Sequence, residues 1–158
     1  MWRQREVAAA IGRKAGRRGA VWRQVSLAEG VSGPYLGGMR ILERIISDRG
    51  STYAVSGGPC GSEAEAKAFV AALCRIKKFA KATHNTWALL TREAGIKNDD
   101  GESGAGMIIL RMLEREGLFD HIIVVTRWYG GKHLGGDRFR HVQEAVRVYV
   151  EDLRKESG

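Results

Sequence analysis

Cysteine is scarce in this chain. Its 158 residues hold two, Cys60 and Cys74, which excludes a secreted disulfide framework and cannot furnish a Cys-rich zinc site. Long apolar runs are missing as well. The longest are short stretches such as Ile122 to Val125, far below the ~18 residues a membrane helix needs, so a soluble protein in a reducing, cytoplasmic compartment is expected. The four histidines, His84, His121, His133 and His141, form no H-E-x-x-H pair, and no G-x-G-x-x-G run marks a dinucleotide site. Acidic residues are thin at the start of the chain. Residues 1–40 carry eight Arg or Lys (Arg3, Arg5, Arg13, Lys14, Arg17, Arg18, Arg23, Arg40) against Glu6 and Glu29.

That imbalance accounts for most of the net charge of +8, because residues 41–158 hold 18 basic and 16 acidic groups. The excess suits contact with a polyanion such as RNA, or a solvated tail. An Arg-rich, acid-poor arm with Trp2, Val7 and Ile11 on one helical face also fits an organelle-targeting leader. With 44% hydrophobic and 28% charged residues, the rest has the composition of one globular domain. Residues 1–38 read as a basic arm or linker, punctuated by Gly30, Gly33, Pro34, Gly37 and Gly38. The domain is expected over 39–158.

Within it, Arg40 to Ile46 and Ser51 to Val55 alternate as strands around the turn Asp48-Arg49-Gly50, and Gly57-Gly58-Pro59 should end the second. Ser62 with Glu65 is a capping-box signal for a helix running to about Phe79. Thr83 to Thr91 reads as a strand and Arg92 to Gly104 as a polar surface loop. A helix containing Ile109, Met112 and Leu113 should stop at Gly117. His121 to Thr126 is nearly continuous apolar sequence, the mark of a central strand covered on at least one face. Phe139, Val142, Val146, Tyr149 and Leu153 give the last helix its apolar stripe. The order ββαβαβα predicts one sheet with helices packed on it, an α/β or α+β sandwich.

Chemistry concentrates in two loops. Between the last strand and helix lies Arg127-Trp128-Tyr129-Gly130-Gly131-Lys132-His133-Leu134-Gly135-Gly136-Asp137-Arg138-Phe139-Arg140. A Walker loop would need Lys and Ser or Thr where Gly136 and Asp137 stand, so Gly130, Gly131, Gly135 and Gly136 read as a tight turn or a backbone anion site. Asp137 is expected to cap the helix. Arg127, Lys132, His133, Arg138 and Arg140 supply cations for phosphate or an acidic partner, with Trp128 or Tyr129 available for stacking. The second loop is acidic: Asp99-Asp100-Gly101-Glu102 lacks the ligand alternation of a calcium site, and Asp99 or Asp100 could pair with an Arg of the glycine loop as a brace. One catalytic arrangement is chemically permitted, Cys60 as nucleophile, His84 as base and Asp100 as orienter, although no nucleophile signature surrounds Cys60.

Taken together, Ala82-Thr83-His84-Asn85-Thr86-Trp87-Ala88, the acidic loop with Ala105-Gly106, and Val124 to Gly131 with Leu134-Gly135 and Asp137-Arg138-Phe139 resemble the IMPACT family, including its bacterial YigZ-type members. Arg140-His141 after that run fit the eukaryotic branch better, and Ser47 to Thr52 resemble the family's opening strand. The resemblance spans about residues 40 to 150. It implies an α+β two-layer sandwich like the second domain of small-subunit ribosomal protein five, with a four-stranded sheet, helices on one face and a left-handed β-α-β crossover. It also implies a non-enzymatic regulator of translation in the amino-acid-starvation response, which binds the ribosome-associated activator of an initiation-factor kinase and needs neither cofactor nor metal. Bacterial relatives suggest RNA or ribosome binding instead. On either reading His84, Asn85, Asp99, Asp100 and Glu102 would border the cationic loop. Eukaryotic members usually carry an N-terminal RWD domain, and the stretch before residue 39 is too short to contain one.

Overall fold

The computed structural model describes Lys14–Ala15, Ala20–Gln24 and residues 38–157. In chain order the elements are β1 (Lys14–Ala15), β2 (Ala20–Gln24), β3 (Gly38–Asp48), β4 (Ser51–Pro59), α1 (Glu63–Cys74), α2 (Lys77–Ala80) and β5 (His84–Leu90). They continue with β6 (Gly95–Asn98), α3 (Ala105–Glu116), β7 (His121–Trp128) and α4 (Asp137–Ser157). All the strands join one sheet in the order β1-β2-β3-β4-β7-β5-β6, antiparallel at every pairing. Because β4 and β5 both run antiparallel to the β7 between them, they are parallel to each other. The chain crosses from one to the other through α1 and α2.

The fold is α+β, and the expected strands and helices are present with shifted ends. Four strands, β3, β4, β7 and β5, make the centre of a sheet that β6 and two pieces of the basic arm, β1 and β2, extend to seven. The other arm residues, with the expected arm helix face and leader, lie outside the described residues. Helical cover on one face, as the family resemblance implied, needs correction. Tyr53 and Val55 of β4, Ala88 and Leu90 of β5, and Ile123 and Val125 of β7 pack with Ile109, Leu113, Val142, Val146 and Tyr149 of α3 and α4. The alternate residues Ala54, Trp87, Leu89, Ile122 and Val124 pack with Phe69, Leu73 and Phe79 from α1 and α2. Successive strand side chains point to opposite faces, so the sheet is buried on both. The unbroken apolar run of β7 is the sequence trace of that arrangement.

Local signals explain most element ends. The Ser62 hydroxyl accepts from the Glu65 N–H at 3.1 Å, and the Glu65 carboxylate accepts from the Gly61 N–H at 2.8 Å. Gly117, at φ 62°, stops α3 in the left-handed conformation. Arg49 and Gly50 both have positive φ, 48° and 84°, the conformation of the tight hairpin turn whose twist matches its strands. Three boundaries depart from expectation. Helix α1 ends at Cys74, and a separate turn, α2, carries Phe79 into the core. The polar loop contains β6, an edge strand with Ile96 partly buried against the second core. And β4 runs through Gly57 and Gly58 to Pro59.

The last departure has a steric cause. The ring of Tyr149 crosses the strand at Gly57, where an added Cβ would lie 2.6 Å from the ring and 2.6 Å from the Ile122 carbonyl oxygen. Glycine here permits close approach rather than ending the strand. The Tyr149 hydroxyl lies 2.6 Å from His121 Nε2, with both side chains buried. Burial, helped by the charge of Arg40, drives the His121 pKa down to about 3, while burial raises that of Tyr149.

Two outcomes follow. Gly57→Ala should cost about 1–3 kcal/mol through overpacking, read as a lower denaturant midpoint. Since His121 binds a proton more readily when unfolded, its contribution to stability is full above pH 6.5. It should fall by about 1.4 kcal/mol per pH unit from there down toward 3. In a pH series of denaturant melts, His121→Asn should flatten that slope.

Candidate functional site: two loops at one end of the sheet

Register brings the two loops together. On β5 and β7, His84 lies opposite Arg127 and Asn85 opposite Thr126, while Tyr53 of β4 lies opposite Arg127 from the other side. The acidic loop leads into α3 and the glycine loop leads out of β7, so both sit at this end. Their link is Glu102, whose carboxylate is 3% exposed. Arg127 Nη1 donates to its two oxygens at 3.0 and 3.2 Å. His84 Nε2 lies 3.6 Å away and Arg138 Nη1 3.7 Å.

A brace between the loops is therefore present, but its acid is Glu102 and not Asp99 or Asp100. Helix geometry occupies Asp99, which accepts from the N–H groups of Gly104 at 3.1 Å and Gly106 at 2.8 Å. Burial pushes the Asp99 pKa up, yet those bonds and Lys97 outweigh it and hold the carboxyl below its ordinary value. Asp100 is committed to β5: its carboxylate accepts from the Asn85 N–H at 2.7 Å, and its carbonyl lies 2.8 Å from His84 Nδ1. Asn85 is buried, bonded to the Phe79 carbonyl at 3.2 Å and to the Thr126 hydroxyl at 2.7 Å. Asn85, Glu102 and Arg127 thus form the inner wall of the face.

The reachable surface is built from the other candidates. Tyr129, Lys132, His133, Arg140 and Asp100 are exposed, whereas His84, Asp99, Trp128 and Arg138 are partly buried. Trp128 is a wedge: its Nε1 donates to the Lys78 carbonyl at 3.0 Å and its ring meets Phe79 edge-on. Tyr129 is 43% exposed, with the Arg127 guanidinium and the His133 ring each 5.7 Å from its centroid.

Among the glycines, Gly130 sits against the hairpin turn so closely that a Cβ would fall 2.0 Å from the Gly50 carbonyl carbon, and its N–H donates to Ser51 Oγ at 3.1 Å. Gly131 and Gly135 have φ of 94° and 56°, while open space surrounds the Cβ position of Gly136. Geometry accounts for three of the four.

Asp137 lies in the first turn of α4, and its carboxylate takes Arg49 and Arg140. Its expected capping role is thereby replaced by a tie to the hairpin. Asp48, Arg49 and His141 complete this network and were missed as site residues. Asp48 accepts from Arg49 and lies 2.8 Å from His141 Nε2, and the two hydrogen bonds hold its pKa down at about 2. Only the family-like runs around Asp48 and His141 marked them in the sequence, since the register Thr52 to Trp128 that joins them is tertiary.

The Cys60, His84 and Asp100 arrangement is not assembled. The Cys60 N–H donates to the Asp120 carbonyl at 2.9 Å, beside His121, at the opposite end of β7 from Arg127 and His84. Six strand positions separate those ends, about 20 Å. Cys60 is buried, and burial pushes its thiol up to about 12. Among the described residues, no group of three or more His, Cys, Asp or Glu could hold a metal ion, and no helix is long and apolar enough to cross a membrane. What the site offers is charge and an aromatic ring on a braced frame.

The profile of the Impact N-terminal domain matches residues 49–150. Protein IMPACT of Xenopus laevis is 39% identical over 108 residues, covering 65% of this chain and 35% of that protein, so the chain spans about a third of the relative's length. A crystal structure of a hypothetical protein superposes with a TM-score of 0.63 at 24% identity, over 70% of this chain and 57% of that one, and it supports the fold. A two-domain translational regulator is similar at 32% identity over 68% of this chain and 44% of that one, with a TM-score of 0.42. From the profile match and the identity to its relatives, the chain belongs to the IMPACT family.

Proposed function

We propose that this protein is a non-enzymatic regulator of translation in the amino-acid-starvation response, acting in the cytoplasm by binding the ribosome-associated activator of the initiation-factor kinase. Family membership supports the reading. The observation that carries it is the Glu102 brace, which fixes an acidic and a cationic loop as one face. A face of mixed charge with a fixed frame suits a protein partner, because complementary potentials select the partner and a rigid frame lowers the ordering cost of docking. Its outer cations, Lys132, Arg138 and Arg140, with the His133 ring as a hydrogen-bonding group beside them, would meet acidic groups of that partner. Asp99, Asp100 and the edge of His84 would form the opposite rim.

Phosphorylation of the initiation factor in amino-acid-starved cells tests this. Added expression of the wild-type chain should lower the phosphorylated fraction, and a Lys132→Glu/Arg140→Glu variant should restore it while melting like wild type. An unchanged fraction with the wild-type chain would overturn the reading. Glu102→Ala should be lost for a different reason: it strands a buried Arg127 charge, at a cost of about 3–5 kcal/mol, visible as a lowered melting temperature.

A further inference from the structure

A second cationic surface adjoins this face. No Asp or Glu occurs between Glu65 and Glu93, nor between Asp120 and Asp137. The first of these stretches holds Arg75, Lys77, Lys78 and Lys81, all exposed, on and around α2. Lys78 pairs with Glu43 at 2.8 Å. Among the described residues Arg75, Lys77, Lys81 and Lys132 have no carboxylate partner. Lys77 and Lys81 are four positions apart across this helical turn, and like charges at that spacing destabilise a helix.

The turn is fastened to the glycine loop. Trp128 donates to the Lys78 carbonyl at 3.0 Å, and Lys78 Nζ lies 5.5 Å from the Trp128 ring centroid. Thr83, just beyond the turn, takes the Tyr129 N–H on its hydroxyl at 2.9 Å and donates its own N–H to the Arg127 carbonyl at 2.9 Å. The turn that carries these lysines and the start of the glycine loop that carries the exposed Tyr129 ring are therefore fixed to each other, with the His133 ring 5.7 Å from that ring and Lys132 preceding it in the chain.

We propose that this strip, Arg75, Lys77 and Lys81 with Tyr129 and Lys132, is a track for single-stranded RNA. The cations follow the phosphates and the Tyr129 ring stacks a base, the pairing of charge and aromatic surface that sequence-tolerant single-strand binding uses. A carboxylate or phosphate alone would satisfy the lysines without using the open face of the ring. The proposal goes beyond the protein-docking reading, since three of its cations lie outside the two loops. Either can fail without the other.

The test uses the full chain and a labelled oligouridine, with affinity measured by fluorescence anisotropy across a salt series. Lys77→Glu/Lys81→Glu should weaken binding tenfold or more, and the neutral pair Lys77→Gln/Lys81→Gln should lower the slope of log K against log salt by about 1.4, from ~0.7 per lost phosphate contact. Tyr129→Ala should weaken binding about tenfold with the slope unchanged, and Tyr129→Phe should recover it. Lys155→Glu, a charge reversal at the far end of α4, should have little effect. Wild-type affinity in the lysine and Tyr129 variants would overturn the track and assign any RNA binding to the basic arm. Equal displacement of the oligomer by polyglutamate, with Tyr129→Ala neutral, would overturn it in favour of an acidic protein.

Discussion

The pairing of Glu102 with Arg127 is the constraint around which this end of the molecule is arranged. Both side chains are buried, and a buried ion pair repays its lost hydration only where geometry is good and further partners are at hand. Here Arg127 meets both carboxylate oxygens, and His84 and Arg138 stand close by. One carboxylate is held between two guanidinium groups, with the His84 ring beside it. The pair ties the last residues of β7 to the start of α3, and Asp137 with Arg49 ties the start of α4 to the β3–β4 hairpin. Loops that would otherwise move independently become parts of one frame.

That frame rests on a sheet covered from both sides. Strand β7 contributes Ile123 and Val125 to one core and Ile122 and Val124 to the other, so no residue along its middle faces solvent. Tyr149 presses on Gly57 from above and closes its hydroxyl against His121. Polar chemistry is thereby driven to the ends of the strands. At one end Cys60 is sealed in beside Asp120; at the other the charged loops emerge.

Much of this was legible in the residues. Periodicity located β3, β4, β5, β7 and the longer helices, Ser62 and Gly117 marked ends that capping chemistry required, and the motif run of the last loop pointed to its family. What escaped had physical reasons. Gly57 read as a stop because a glycine's use depends on what approaches it, and Tyr149 is 92 positions away. Strand β6 is short and polar, as edge strands tend to be, and so passed for loop. Among three neighbouring acids, only the fold could say that Asp99 would serve the α3 backbone, Asp100 the β5 backbone and Glu102 the arginine. The apolar alternation that covers both faces was present in β7, yet a one-sided sheet was expected from the family likeness.

The place of β7 in the sheet also bears on the order in which the molecule can be made. Strands β4 and β5 never touch as neighbours, and each meets the other only through a strand that begins at His121. A nascent chain that has not yet extended past that point has two halves of a sheet and no seam. Closure therefore waits until residues 121 to 128 are free to pair, and the charged loop that directly follows them is held at its far end only when the start of α4 brings Asp137 to Arg49.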